Sequence, residues 1–372
     1  MVHTLCPSVL ALALSTVLDR RTAAFAPRSP PARPGAFPLS MTTPASSDNL
    51  FQKTFAGLLD LLPRPDGASS PLSARSLPAR DLVSDLVINQ SAYSSADGAR
   101  AFAAACAPDV IYEDCYSSAA PVAGRSAVEA LLLEKVAARR GKGSLRVDML
   151  TDGARSCGFG WTFVDGDMEG LRGSTFVETD GNGAVAYVRE IPEPLFKPGD
   201  LTVQLLEAVT KGAERRETPP YRTRTPTGAS DIAQYLFREV QGSSVDESVR
   251  FFDEEILYRD FNFEEVLEGT AEVRQFIEDF NFPGITFVLQ KIDDGTEATC
   301  FTWEVVIDGA ESTVKGISIY EVDPKTRKVK YVRDVPESTV KPPPLGRLAR
   351  ALNPGLGVFG KGVPLGSRPG GR

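Results

Sequence analysis

The feature that most constrains this 372-residue chain is that it is written twice. Residues 111–133 (IYEDCYSSAAPVAGRSAVEALLL) are echoed by 257–278 (LYRDFNFEEVLEGTAEVRQFIE). GFGWTFVDG (158–166) is echoed by CFTWEVVIDG (300–309), and GSTFVETDGNGAVAYVREIPE (173–193) by GISIYEVDPKTRKVKYVRDVPE (316–337). A period of about 145 residues is too long for a solenoid and fits a whole domain. The chain is therefore expected to hold two copies of one fold.

Charge and side-chain inventory then remove function classes. The formal net charge of −8 hides a split: the first 47 and last 32 residues are basic, and the body between them is strongly acidic. An acidic body repels phosphate, so no nucleic-acid partner is expected. The only histidine is His3. Without that segment the chain has no histidine for a Ser-His-Asp or Cys-His pair, a general base or a metal site. Acid–base chemistry then falls to Asp, Glu, Tyr, Lys or Cys. Cys106, Cys115, Cys157 and Cys300 have no C-x-x-C spacing and read as buried thiols of a reducing compartment. No glycine cluster sits in a nucleotide-binding context, so no metal or nucleotide cofactor is expected.

Residues 5–18 form an apolar run of signal-peptide length, too short for a comfortable membrane span. From Arg20 to Ser47 no acid occurs, while Arg, Ser, Thr and Pro are frequent, which is transit-peptide composition. Residues 1–24 are thus read as a signal peptide and 25–47 as a transit-like segment, leaving no transmembrane segment in the mature chain. TAAFAP (22–27) resembles the Ala-Phe-Ala-Pro junction of bipartite leaders in algae with plastids of secondary red-algal origin. That resemblance implies cleavage before Phe25 and delivery to the plastid stroma; plain secretion is the alternative.

An N-terminal segment follows (48–80), with an amphipathic helix at 48–62 carrying Phe51, Phe55, Leu58, Leu59 and Leu62 on one face, and a Pro/Ser/Ala linker. The repeats are placed at 81–213 and 229–352, joined by a linker at 214–228 and followed by a disordered basic tail at 353–372. Each repeat opens with a helical stretch, 81–106 or 229–252, the second with Ser230 or Asp231 as cap. A short strand follows (110–114, 256–260), then a turn at Gly124 or Gly269 and a helix. Three longer strands come next (144–150, 157–165, 171–178; 285–292, 298–307, 313–322), then a last strand (184–191, 328–335). Each ends in a further helix, 201–213 or 345–352, the latter (GRLARAL) basic with apolar positions. Helices first and antiparallel strands after give the α+β class.

This order, with Tyr-x-Asp on the first strand and Trp…Asp-Gly before a hairpin, resembles the nuclear transport factor 2-like superfamily, in its SnoaL-like branch. REIPEPLFKPG (189–199) and RDVPESTVKPPP (333–344) are similar to the closing phrase of plant chloroplast members. The resemblance implies two tandem cones, each a curved antiparallel sheet packed on N-terminal helices, with a pocket at the open end.

The site candidates come in pairs. Asp114 and Asp260 lie two residues after Tyr112 and Tyr258, so acid and phenol share a strand face. Resemblance to ketosteroid isomerase places a proton-abstracting base at those aspartates. That enzyme's oxyanion donors would fall at Thr175 and Ser318, and near Gln90 and Leu236, with Tyr93 and Tyr235 close by. Bonding to local backbone or a nearby hydroxyl is the structural alternative. Glu190 and Asp334 alternate with Arg189 and Arg333 along the last strand, so one set faces the cone and the other faces away. The acids either pair with Asp114 and Asp260 or join the arginines in structural ion pairs. Trp161, Phe159, Trp303 and Phe301 are core or pocket wall. Three functions remain open: a module binding a small apolar or amphipathic ligand or a protein partner, an isomerase or cyclase using an aspartate base, and a structural pseudo-dimer whose domains pair with each other. Homodimerisation is a further expectation.

Overall fold

The computed structural model describes residues 77–116, 120–139, 142–212, 220–308 and 314–338. The leader, the helices expected at 48–62 and 345–352, and the tail lie outside them. The first repeat runs α1 (Ala79–Ser84) into a π-helical turn (Asp85–Asn89), α2 (Ala96–Ala105), β1 (Cys106–Asp114), β2 (Val122–Ala123), α3 (Arg125–Ala138), β3 (Ser144–Leu150), β4 (Ser156–Asp165), β5 (Met168–Thr179) and β6 (Val185–Pro192). Helix α4 (Asp200–Thr210) follows. The second repeat runs α5 (Ala229–Tyr235) into a π-helical turn (Leu236–Val240), α6 (Val245–Val249), β7 (Phe252–Asp260), β8 (Leu267–Glu268), α7 (Gly269–Asp279), β9 (Ile285–Ile292), β10 (Ala298–Ile307), β11 (Val314–Val322) and β12 (Val329–Pro336).

The opening helical stretch expected in each repeat consists of two α-helices with a π-helical turn after the first. Ser95 leaves helical geometry and caps α2 by accepting the Gly98 N–H at 3.0 Å; Ser244 does the same for α6 from the Glu247 N–H at 3.1 Å. Serine side chains that bond the backbone favour such restarts over continuous helix. Neither Ser230 nor Asp231 caps α5. Gly228 holds that position, Ser230 donates to the Asp293 carbonyl at 2.6 Å, and Asp231 accepts the Thr227 N–H at 2.9 Å. Gly124 and Gly269, at φ 89° and 82°, make the left-handed turns that feed α3 and α7.

Each repeat builds a six-stranded sheet, in the order β2-β1-β6-β5-β4-β3 and β8-β7-β12-β11-β10-β9. The sheets are mixed rather than wholly antiparallel. β1 pairs parallel with β6, and β7 with β12. The chain leaves β1 through α3 and returns by a three-hairpin meander, so the last strand arrives in the same direction as the first. Tyr112 lies beside Val188 and Asp114 beside Glu190, as Tyr258 lies beside Val332 and Asp260 beside Asp334. The inner face of each sheet packs on its helices. Val83, Leu86, Tyr93, Phe102, Phe159, Trp161 and Val188 belong to one core, and Ile232, Tyr235, Phe252, Phe301, Trp303, Tyr320 and Val332 to the other.

The other faces meet. Cys115, Phe176 and Ile191 of the first repeat form one buried cluster with Phe261, Cys300, Ile317, Ile319 and Val335 of the second. Around it the contacts are reciprocal. Asp152 accepts backbone N–H groups of Thr296 and Ala298 at 3.0 and 2.9 Å, and Asp294, its counterpart, accepts those of Ala154 and Arg155 at 2.8 and 3.2 Å. The four described cysteines are free and buried.

Candidate functional site

The inner face of the first sheet carries a chain of polar groups inside an apolar shell. Tyr112 donates to Glu190 Oε2, and its oxygen lies 3.3 Å from the Tyr93 hydroxyl. Lys135, on α3, sets its ammonium 2.7 Å from Glu190 and 3.4 Å from Asp114, 5.3 Å from the centre of the Tyr112 ring. Burial would pull the Lys135 amine down, but Glu190 and Asp114 outweigh it and hold the group above its usual range, so it is an ammonium. Burial pushes both phenols well up, with Glu190 adding to the effect, so they act as neutral donors. Phe102, Phe159 and Trp161 fill the space behind, and Arg139 lies 3.6 Å over the Phe163 ring. The first cone is thus packed, and both of its acids are bonded to an ammonium of the same repeat.

The second cone repeats the scaffold without a lysine on its helix. Asp334 accepts from both the Tyr258 and Ser318 hydroxyls, and Ser318 accepts the Trp303 indole N–H at 2.7 Å. Asp260 accepts the Asn262 N–H at 2.8 Å and, among the described residues, has no salt bridge. Burial pushes Asp260 up to about 7, with Asp334 adding to it, and pushes Asp334 to about 6. By register along α3 and α7 from the two turn glycines, Phe280 takes the place of Lys135. Its ring stacks on Phe276 at 4.6 Å and lies 6.0 Å from Phe263, while Phe276 lies 5.5 Å from Tyr258. All three phenylalanines are half-buried. The segment after the first repeat crosses to this end: Lys197 donates to the Phe261 carbonyl at 2.7 Å and the Gly199 N–H to the Asn262 carbonyl at 2.9 Å.

The sequence candidates fall into two groups. Tyr112, Asp114, Glu190, Trp161, Phe159 and Thr175 come together in the first cone, and Tyr258, Asp260, Asp334, Trp303, Phe301 and Ser318 in the second. Asp114 and Asp260 also each accept a backbone N–H two residues on, from Tyr116 and Asn262. The oxyanion pattern is not reproduced. Thr175 accepts the Trp161 N–H at 3.0 Å, and Tyr235 turns away to donate to Glu247 at 2.7 Å. Tyr93 alone of the nearby tyrosines reaches the acid through Tyr112. The arginines point to the facing sheet. Arg189 binds Glu113 at 2.6 Å and lies 3.6 Å from Glu304 of the other repeat. Burial alone would raise Glu113, but the Tyr187 hydroxyl and Arg189 bring it down to about 2. Arg333 is no ion-pair member among the described residues. It donates to Ser174 Oγ at 3.1 Å and the Gly173 carbonyl at 3.0 Å, because Arg259 stands where the first repeat has Glu113.

Nothing in the sequence analysis singles out Lys135. Its spacing was the available signal: it lies seven residues after Val128 and three after Leu132, on the same helical face.

A family model described as the SnoaL-like domain matches residues 233–330. No curated protein matches the chain. Among solved structures the chain is similar to a nuclear transport factor 2-like protein of unknown function from Cytophaga hutchinsonii, at 10% identity over 31% of this chain and 94% of that one, with a TM-score of 0.26. It is also similar to a steroid delta-isomerase from Pseudomonas aeruginosa, at 14% identity over 35% and 85%, TM-score 0.25. An epoxide hydrolase/cyclase-like enzyme of pyran-ring formation in the polyether salinomycin is 20% identical over 29% and 89%, TM-score 0.25. The fold is α+β, two mixed six-stranded sheets each following helices, and the family match falls within the second of the two repeats.

Proposed function

We propose that this chain is a plastid protein in which the first SnoaL-like domain is a structural partner and the second binds a small amphipathic molecule. The observation that carries this reading is the difference between the cones. Lys135 bonds both acids of the Asp114–Glu190 pair, whereas Asp260 and Asp334, beside half-buried phenylalanines, have no ion pair among the described residues, and Lys197 acts on Asp260 only from a distance. Two carboxyls beside aromatic rings give a ligand both a polar anchor and an apolar wall. The pairing of the two sheets makes the tandem chain a covalent counterpart of a homodimer. Isomerase chemistry is the weaker reading, because the Tyr258 and Ser318 hydroxyls are both spent on Asp334. The plastid assignment rests on the leader's composition. A reporter fused to residues 1–47 that stays outside the plastid overturns it. Native mass spectrometry of the protein isolated from its own cells tests the binding role. A co-purifying small molecule is expected, and its loss on Asp260→Asn assigns it to the second cone. A bare chain of full mass argues for a purely structural pair.

A further inference from the structure

The first cone shows what fits between this tyrosine and this pair of acids. There the occupant is an ammonium on a four-carbon stem, supplied by the chain itself. Lys135 Nζ sits 2.7 Å from Glu190 and 3.4 Å from Asp114, over the Tyr112 ring. The second cone keeps the ring as Tyr258 and the acids as Asp260 and Asp334, and has Phe276, Phe280 and Phe263 where the first has Leu131, Lys135 and Ser117. Aromatic faces and carboxylates together are the chemistry that recognises organic cations.

We infer that the second cone binds a small primary alkylammonium, its head taking the place of the Lys135 ammonium between Asp260 and Asp334 and its alkyl stem lying against Tyr258, Phe276 and Phe280. The inference rests on the reading of the second cone as the binding domain and names the ligand class. It also accounts for the electrostatics. With no cation bonded to either acid among the described residues, burial leaves Asp260 at about 7, even with the Lys197 charge pulling it down, and Asp334 at about 6, so the pair holds a proton near neutrality that an incoming ammonium displaces. The other charged and titratable groups facing the pair are Tyr258 and Tyr320, which burial keeps neutral, and Lys197, already paired with Glu193 at 2.6 Å. Affinity for an ammonium therefore rises with pH through the window in which Asp334 and Asp260 ionise.

The test titrates the full chain with n-butylammonium, which is the lysine side chain freed of its backbone, and with 1-butanol as the neutral control, at pH 5 and pH 8. Binding is read by saturation-transfer NMR. Butylammonium is expected to bind at pH 8, to weaken roughly tenfold at pH 5, and to lose roughly tenfold in affinity on Asp260→Asn. Phe280→Lys, which restores a tethered ammonium, is expected to abolish binding and raise the melting temperature. If butanol binds as well as butylammonium, the ammonium assignment falls and the amphipathic pocket stands. If neither binds below about 10 mM, both fall. Butylammonium binding that ignores both substitutions lies elsewhere and overturns the proposal.

Discussion

Asp260, Asp334 and Asp293 are three carboxyls that folding pushes in the same direction. Burial raises Asp260 to about 7 and Asp334 and Asp293 to about 6, although Asp293 accepts from Thr151 at 2.5 Å and Thr299 at 2.6 Å. A carboxyl whose folded value lies above its unfolded one binds more protons when folded. Its contribution is fully present below the unfolded value, near pH 4, and is lost as pH rises through 6 to 7. Glu113, held at about 2, works the other way and loses its contribution only as pH falls from about 4 toward 2. These groups therefore put the greatest stability near pH 4 and are expected to cost about 5 kcal/mol between pH 5 and pH 8 in urea titrations. Asp260→Asn should flatten that slope. The two tryptophans, one per repeat, let the measurement be read by domain, with Trp161→Phe leaving Trp303 as the reporter. A slope that survives in Asp260→Asn assigns the loss to Asp293 and Asp334 instead.

The second and third long strands of each repeat, β4 with β5 and β10 with β11, work as a pair because an indole lies against a glycine. Trp161 faces Gly173 across β4 and β5, and Trp303 faces Gly316 across β10 and β11. A Cβ on Gly173 would meet Trp161 Cζ2 at 2.3 Å, and one on Gly316 would meet Trp303 Cζ2 at 2.0 Å. Gly316→Ala is therefore expected to cost about 1–3 kcal/mol in unfolding free energy, by overpacking. It should also move the Trp303 emission, since that indole orients Ser318 and through it Asp334. An unchanged spectrum would mean that the indole is free to slide. Much of this was legible in the sequence. The long strands fall within about three residues of their expected ends, because a period of two and turn residues mark them locally. The helix breaks at Ser95 and Ser244 were not legible, since a cap competes with continued helix by only about 1 kcal/mol. The inward set on the last strand was also undecided. Arg189 and Glu190 alternate in either register, and only packing against Lys135 on one side and Glu304 on the other distinguishes them.

The contact between the sheets is where duplication became specialisation. Related positions are occupied by different residues: Gly158 against Cys300, Ser174 against Ile317, Cys115 against Phe261. No single-strand pattern reveals which of each pair must be small, because the fit is made across repeats. Gly158 is the sharpest case. A Cβ there would lie 2.1 Å from Cys300 Sγ and 2.2 Å from Cys300 Cβ. Gly158→Ala is expected to destabilise by about 1–3 kcal/mol, since the buried interface has no room to relax. Cys300→Gly removes the opposing atoms at its own cost in backbone freedom and lost packing. If the two sheets fold as one body, the double variant recovers stability relative to the sum of the single ones, with a coupling of about 1 kcal/mol or more in chemical denaturation. Residues distant in sequence couple only through contact in space. An additive double variant would therefore show that the repeats unfold independently and that the sheet contact does not bind them. Coupling of the expected sign would make the first repeat part of the platform on which the second cone's acids are held.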